Sequence, residues 1–168
     1  MITIYVEDFN SEITQDAYDK IINSLDLNKL ECPKCNHCGS KIHAYYDRAI
    51  KTSNGILRLV VLRVKCKGCN ATHALLLSTI VPYQVVSVVD QIRIINNDDI
   101  KSLKSDKPDI YDVDVYRIKS NFVHHYKQRL ISFKLTVDYS MISSCFEYFE
   151  RQFMQIKRQS NILFLPTT

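Results

Sequence analysis

The chain has 168 residues, 46% of them hydrophobic and 24% charged, with six cysteines and a formal net charge of +4. That length supports one domain with a real core or two small modules, and the lack of any run of about eighteen apolar residues argues against a transmembrane helix. The opening MITIYVEDFN has neither the basic start nor the apolar stretch of a secretory signal, so a cytoplasmic protein with reduced thiols is expected.

In chain order, Ile2, Ile4 and Val6 alternate with Thr3 and Tyr5, which predicts a short strand. Ile13, Ala17, Ile21, Ile22 and Leu25 then recur at helical spacing, with Ser11 placed to cap the start. Residues 1–31 carry seven acids against Lys20 and Lys29, a net charge of −5, so the rest of the chain carries +9. Four thiolates on one Zn²⁺ would add about −2 to that remainder, which stays basic enough for a polyanion partner.

Five of the six cysteines fall in two tight clusters. Cys32-Pro33-Lys34-Cys35 and Cys66-Lys67-Gly68-Cys69 are Cys-x-x-Cys knuckles, with thirty residues between Cys35 and Cys66. A Cys-x-x-Cys turn supplies two thiolates from one loop, and two such turns complete the tetrahedron that zinc prefers. A redox dithiol accounts for one pair but not both; iron is the alternative metal. Cys38 leaves an ambiguity, because Cys35-Asn36-His37-Cys38 is also a legitimate knuckle. The rigid Cys-Pro-x-Cys turn favours Cys32 and Cys35. His73 has the spacing to replace a thiolate, although a strand residue is the plainer reading, and His37 and His43 read as surface or supporting groups. Cys145, alone in a helical pattern, reads as a small buried hydrophobe.

Between the knuckles, the β-rich runs KIHAYYDRAI and ILRLVVLRVKC flank Asn54-Gly55, a hairpin signal. Val60, Leu62, Val64 and Cys66 share one face of the second run; Leu57, Leu59, Val61, Arg63 and Lys65 share the other. The apolar THALLLSTIV follows. Beyond Pro82 the period becomes helical. Val85, Val88, Val89, Ile92 and Ile95 predict one helix, and residues 98–104 a short second one. A turn at Lys107-Pro108-Asp109 precedes a long helix over residues 112–130, with Val115, Phe122, Val123, Tyr126 and Leu130 as its stripe. A last helix holds Met141, Ile142, Cys145, Phe146, Phe149, Phe153 and Ile156. The tail NILFLPTT reads as a strand or strap.

The string from the first cysteine pair through His43, Tyr45-Tyr46, Arg48, Arg63-Val64-Lys65-Cys66, Thr72-His73-Ala74-Leu75-Leu76 and Val81-Pro82-Tyr83 resembles a bacterial zinc-ribbon family of unassigned function. That family is similar in turn to the N-terminal ribbons of insertion-sequence transposases. The resemblance covers residues 30–84 well and the rest loosely, and Cys38 departs from its two-cysteine knuckle. It implies a ribbon and a helical unit that bind element DNA, with cutting left to a separate acidic-triad domain.

The expected fold is therefore α+β: an acidic strand-helix over 1–31, a zinc-ribbon hairpin unit over 32–83, and a helical, helix-turn-helix-like unit over 84–168 with an apolar tail. The expected metal is one structural Zn²⁺ on Cys32, Cys35, Cys66 and Cys69. The expected partner is DNA, held by Arg48, Lys51, Arg58, Arg63, Lys65 and Lys67 on the ribbon and by Arg117, Lys119, Lys127 and Arg129 on the helical unit. No membrane partner and no enzymatic activity are expected, since four thiolates leave no open position on the metal. The competing reading is a protein-interaction adaptor that meets its partner through the acidic N-terminal segment and the tail.

Overall fold

A computed structural model describes residues 1–6, 13–98 and 109–156, with residues 161–164 as backbone. In chain order its elements are β1 (Ile2–Tyr5), α1 (Gln15–Asn23), β2 (Ser40–Thr52), β3 (Gly55–Cys66), β4 (Thr72–Leu77), α2 (Val88–Asn96), α3 (Asp112–His125), α4 (Lys127–Ser132), α5 (Ser140–Phe149) and β5 (Asn161–Phe164). The protein is mixed α+β, and its five strands form one sheet in the order β2-β3-β4-β1-β5. No helix among the described residues is long and apolar enough to cross a membrane.

The chain divides into two compact units. The first holds the described residues of 1–48 and 58–78 together with β5; the second holds those of 49–57 and 79–156. In the first unit, β1 lies between β4 and β5 and runs parallel to both, with Ile2 opposite Leu75 on one side and Asn161 on the other. Parallel strands are covered on both faces and so read as nearly continuous apolar runs. Accordingly Ile2, Thr3 and Ile4 are buried, as are five of the six residues of β4.

β3 and β4 pair antiparallel from Arg63↔Ala74 to Lys65↔Thr72. Beyond that stretch the strands part, and α1 fills the gap with polar side chains. The Tyr18 hydroxyl accepts from Leu62 N–H (2.9 Å) and donates to the Leu75 carbonyl (3.0 Å). One turn earlier, Gln15 accepts from Val60 N–H (2.8 Å) and donates to the Val60 carbonyl (3.2 Å). The helix is therefore seated by Tyr18 and Ile22, both buried, while Ala17 of the predicted stripe is exposed. Its cap is Thr14, whose hydroxyl accepts from Ala17 N–H (3.1 Å); the predicted cap Ser11 lies outside the described residues.

Burial pushes the Tyr18 hydroxyl up to about 12. Tyr18→Phe strands two buried backbone groups at once, which costs roughly 1–3 kcal/mol. Urea denaturation of the two proteins measures this, and coincident curves would refute the stitching role.

The hairpin turns on Ser53-Asn54. Gly55 has φ 118°, a conformation that glycine adopts without strain. Thr52 Oγ1 accepts from Asn54 N–H (3.1 Å) and donates to the Gly55 carbonyl (2.9 Å). Both faces of β3 carry core residues, at different ends: Leu59 and Val61 on one, Leu62, Val64 and Cys66 on the other. Val60, grouped by alternation with that second set, is 43% exposed.

In the second unit the hairpin tip is fixed through Lys51, whose N–H donates to Val85 O (2.6 Å) and whose carbonyl accepts from Ser87 N–H (3.0 Å). Ser87 then caps α2 by accepting from Asp90 N–H (3.1 Å). The buried Asp90 carboxylate accepts from Ser87 Oγ (2.7 Å) and Ser53 N–H (3.0 Å). The buried face of α2 is Val88, Asp90, Gln91, Ile92 and Ile94. This shifts the predicted stripe, since Val85 is exposed and Val89 and Ile95 are half-buried.

The single helix predicted over 112–130 is two helices that break at Tyr126. There the φ of −123° departs from helical geometry, and the hydroxyl donates to the carbonyls of Gln152 (2.9 Å) and Gln155 (2.6 Å). Phe153 packs edge-on against the Tyr126 ring at 5.4 Å. The buried positions are Asp114, Ile118, Tyr126 and Leu130, while Val123 is exposed. Spacing among apolar residues misplaces this face because a buried aspartate sits on it.

α5 buries Met141, Ile142, Cys145 and Phe146 as predicted and ends at the left-handed Glu150. Phe153 is thus buried beyond the helix, and Ile156 is exposed. The predicted helix over 98–104 and turn over 107–109 lie, apart from Asp98 and Asp109, outside the described residues.

Candidate metal centre

Two loops of the first unit build the site. Cys32 and Cys35 precede β2; Cys66 ends β3, and Cys69 lies in the turn to β4. The loops follow one backbone plan. In the first, Cys32 N–H donates to His37 O (3.0 Å) and Asn36 N–H to Cys32 O (2.8 Å); in the second, Cys66 N–H donates to Ala71 O (2.9 Å) and Asn70 N–H to Cys66 O (3.2 Å). Both loops turn on an asparagine directly after the second cysteine, with φ 57° at Asn36 and 60° at Asn70. Asparagine tolerates this left-handed conformation better than most residues do. The repeated Cys-x-x-Cys-Asn was the sequence signal for this geometry.

The loops are joined by Lys67 N–H donating to Gly39 O (3.0 Å). They also touch through His37, against which Gly68 leaves no room for a side chain. A Cβ on Gly68 would lie 2.8 Å from His37 Cγ and 2.9 Å from its Cβ.

The result is a cage. The sulfurs of Cys32, Cys35, Cys66 and Cys69 all lie within 4.8 Å of one another. Cys32 Sγ is 3.6 Å from Cys69 Sγ, and Cys35 Sγ is 3.7 Å from Cys66 Sγ. Cys38 is exposed, forms an isolated bridge with Glu31, and is not among the four. His73, which has the spacing to replace a thiolate, stands beside the group of four: its Nε2 lies 3.3 Å from Cys32 Sγ, as a hydrogen-bond partner of the sulfur. Its Nδ1 is 3.4 Å from the Met1 amine. Burial lowers the imidazole's proton affinity, which keeps the ring neutral. Gly68 N–H donates to Cys66 Sγ (3.3 Å). Such contacts orient and stabilise ligating sulfurs.

Crowding shows in the acidity of the thiols. At Cys66 the backbone amide of Cys69, with that of Gly68, pulls the thiol down to about 7 against the effect of burial. At Cys35 the His37 amide pulls the same way, but the thiols of Cys69, Cys32 and Cys66 push it up to about 12. Four thiols at this spacing cannot all ionise against one another, and a divalent cation at their centre removes that repulsion. The four cysteines can hold a metal ion.

The basic residues expected on DNA divide into two groups. Arg58, Arg63, Lys67, Lys127 and Arg129 are exposed, and Lys65 is half-buried. Arg63 stacks over the Tyr46 ring at 5.1 Å, and Lys67 Nζ donates to Asn28 Oδ1 (2.7 Å). Lys51 and Arg117 instead hold the buried Asp114 carboxylate, each at 2.7 Å. Lys119 Nζ donates to Asn97 Oδ1 (2.6 Å), and Arg48 is half-buried. Tyr18 and Asp114, which the sequence reading does not single out, are buried polar groups that tie separate elements together within their units.

A four-sulfur cage that can hold a metal ion, carried on a β-hairpin in a mixed α+β fold, is an arrangement compatible with a zinc ribbon. The chain belongs to the family described as Domain of unknown function (DUF6431), which matches residues 22–113, just over half of its length and the whole of the cage. No curated protein and no solved structure matches it.

Proposed function

We propose that this protein holds one structural Zn²⁺ in the cysteine cage and acts, without catalysis of its own, as a DNA-binding module of the transposase-accessory kind. The observation that carries the metal half is the closed set of four sulfurs on two matching loops. Zinc forms such tetrahedral thiolate sites, and a full set of protein ligands leaves no position for a reacting water.

The nucleic-acid half is supported by the basic remainder of the chain, by exposed Arg58, Arg63 and Lys67 around the hairpin, and by the resemblance to transposase ribbons. In this reading the ribbon supplies phosphate contacts, while the helical unit, of helix-turn-helix character, presents Lys127 and Arg129. Arg117 keeps its ion pair with Asp114 and a half-exposed side chain.

Electrophoretic mobility with genomic fragments at two salt concentrations tests this. Affinity falls steeply with salt, because each phosphate neutralised by the protein releases condensed counterions. Arg63→Ala with Lys65→Ala weakens binding to all sequences alike and flattens the salt slope by roughly 0.9 for each phosphate no longer neutralised. If duplex DNA, single-stranded DNA and RNA all fail to bind at low salt, the nucleic-acid reading falls. The adaptor reading then takes its place, with a pull-down on residues 1–31 as the next experiment.

A further inference from the structure

β2 is the terminal strand of the sheet and runs for thirteen residues, more than twice the usual strand length of about 5–6. Lys51 marks which of its backbone groups face away from β3. Its N–H and C=O both bond off the far side, to Val85 and Ser87. Strand alternation then aims the N–H and C=O of Ala49, Asp47, Tyr45, His43 and Lys41 off that same side. Among the described residues no backbone partner meets them there. An edge of this kind is a template for another strand unless bulges, proline, brevity or charges blunt it. Residues 41–48 contain no proline, and their charges are of both signs, so they oppose a strand of like charge and admit one of complementary charge.

The side chains along the edge are laid out for one partner in particular. Lys41, Ile42, His43, Tyr45 and Asp47 are all exposed, Ile42 at 56% and Tyr45 at 60%. The segment is self-complementary when read against itself in the antiparallel sense about Ala44. Lys41 then faces Asp47 of the second copy, twice by symmetry. His43 faces Tyr45, Ile42 faces Tyr46, and the small Ala44 sits on the two-fold axis. In this register the odd-numbered residues, whose backbone groups point outward, meet one another, as ladder hydrogen bonds require. Directly opposed unlike charges stabilise a strand pair and like charges oppose it.

We infer that β2 is a self-association edge, through which two copies of this chain join antiparallel across Ala44. The pairing joins the two sheets into one, covers Ile42 and Tyr45, and presents the two cysteine cages symmetrically. A strand pair of seven residues is a small interface, so association is weak and concentration-dependent, with a dissociation constant on the order of micromolar or weaker. The inference is independent of the metal's identity and of nucleic-acid binding.

Sedimentation of nuclease-treated, metal-replete protein tests it through charge exchange. The wild-type chain shows a monomer–dimer equilibrium. Asp47→Lys sets Lys41 against a lysine, and Lys41→Asp sets an aspartate against Asp47; each weakens dimerisation at least tenfold. The double exchange Lys41→Asp with Asp47→Lys restores it, and an equimolar mixture of the two single variants forms the heterodimer. Both positions are exposed, and unchanged metal content confirms that the variants fold. A wild-type chain that stays monomeric to millimolar concentration, or a dimer indifferent to the exchange, overturns the inference.

Discussion

Cys66→Ser protein is expected to purify without its metal and with the ribbon unfolded. Cys66 is fully buried and supplies one of the four sulfurs, and a serine hydroxyl does not replace a thiolate toward zinc. In small ribbons the free energy of metal binding is folding free energy, on the order of 10–16 kcal/mol for structural zinc. That matches or exceeds the whole stability of a typical domain, about 5–15 kcal/mol. Loss of the site is therefore expected to unfold the ribbon rather than soften it. Elemental analysis of wild-type protein is expected to give about one zinc per chain. Cys32→Ser, Cys35→Ser and Cys69→Ser behave as Cys66→Ser does, whereas Cys38→Ser keeps the metal, since Cys38 lies outside the cage. Cys145→Ser also keeps it, Cys145 being a buried thiol of the other unit that burial pushes up to about 12. Iron in place of zinc would keep the cage and change the metal. Metal retained at full occupancy in Cys66→Ser would defeat the four-sulfur assignment.

What the sequence made legible were features set by local chemistry: the first strand, the hairpin, whose turn falls at Ser53-Asn54, one residue before the Asn54-Gly55 signal, the knuckles, the β4 run and the buried face of α5. Each depends on residues near one another in the chain. What it hid were features in which a polar group takes a place in the core. Tyr18 is an ordinary helical residue until β3 and β4 part beside it and leave Leu62 N–H and Leu75 C=O to be satisfied. Asp114 belongs to the buried row of α3 because Lys51, distant in sequence, reaches it; a search for apolar spacing passes it by. Tyr126 breaks a helix that periodicity would continue, because its hydroxyl answers two carbonyls near residues 152–155. Charge sign and place in a predicted hairpin or helix mark the basic residues expected on DNA, and neither tells a solvent-facing cation from one spent on an internal carboxylate.

That last distinction predicts that Asp114→Asn weakens the protein substantially while Arg117→Ala barely does. The Asp114 side chain is 5% exposed and Lys51's is 21%, against 50% for Arg117. Lys51 is thus the partner that cannot easily return to water, and Tyr111 reinforces the arrangement with its N–H on the same carboxylate (3.3 Å) and its ring 4.8 Å from Lys51 Nζ. Breaking a buried pair by removing one partner costs about 3–5 kcal/mol; the partial exposure of Lys51 places this case near the lower end. A half-exposed pair such as that with Arg117 contributes about 0–1 kcal/mol. Burial alone would raise the Asp114 carboxyl, but the Lys51 ammonium, the Tyr111 amide and the Arg117 charge outweigh it and hold the group below the ordinary aspartate range. A carboxyl lowered in the folded state contributes stability above its unfolded value, about 3.9, and loses it as pH falls through the folded value. The wild-type advantage over Asp114→Asn is therefore flat between pH 7 and 5 and fades only below about pH 4. Urea denaturation at pH 7 and pH 5 measures the plateau, and carbon-13 NMR of the carboxyl places its inflection. An inflection at or above the ordinary aspartate value, or equal losses from Asp114→Asn and Arg117→Ala, would show that Asp114 is not the buried anchor of the second unit.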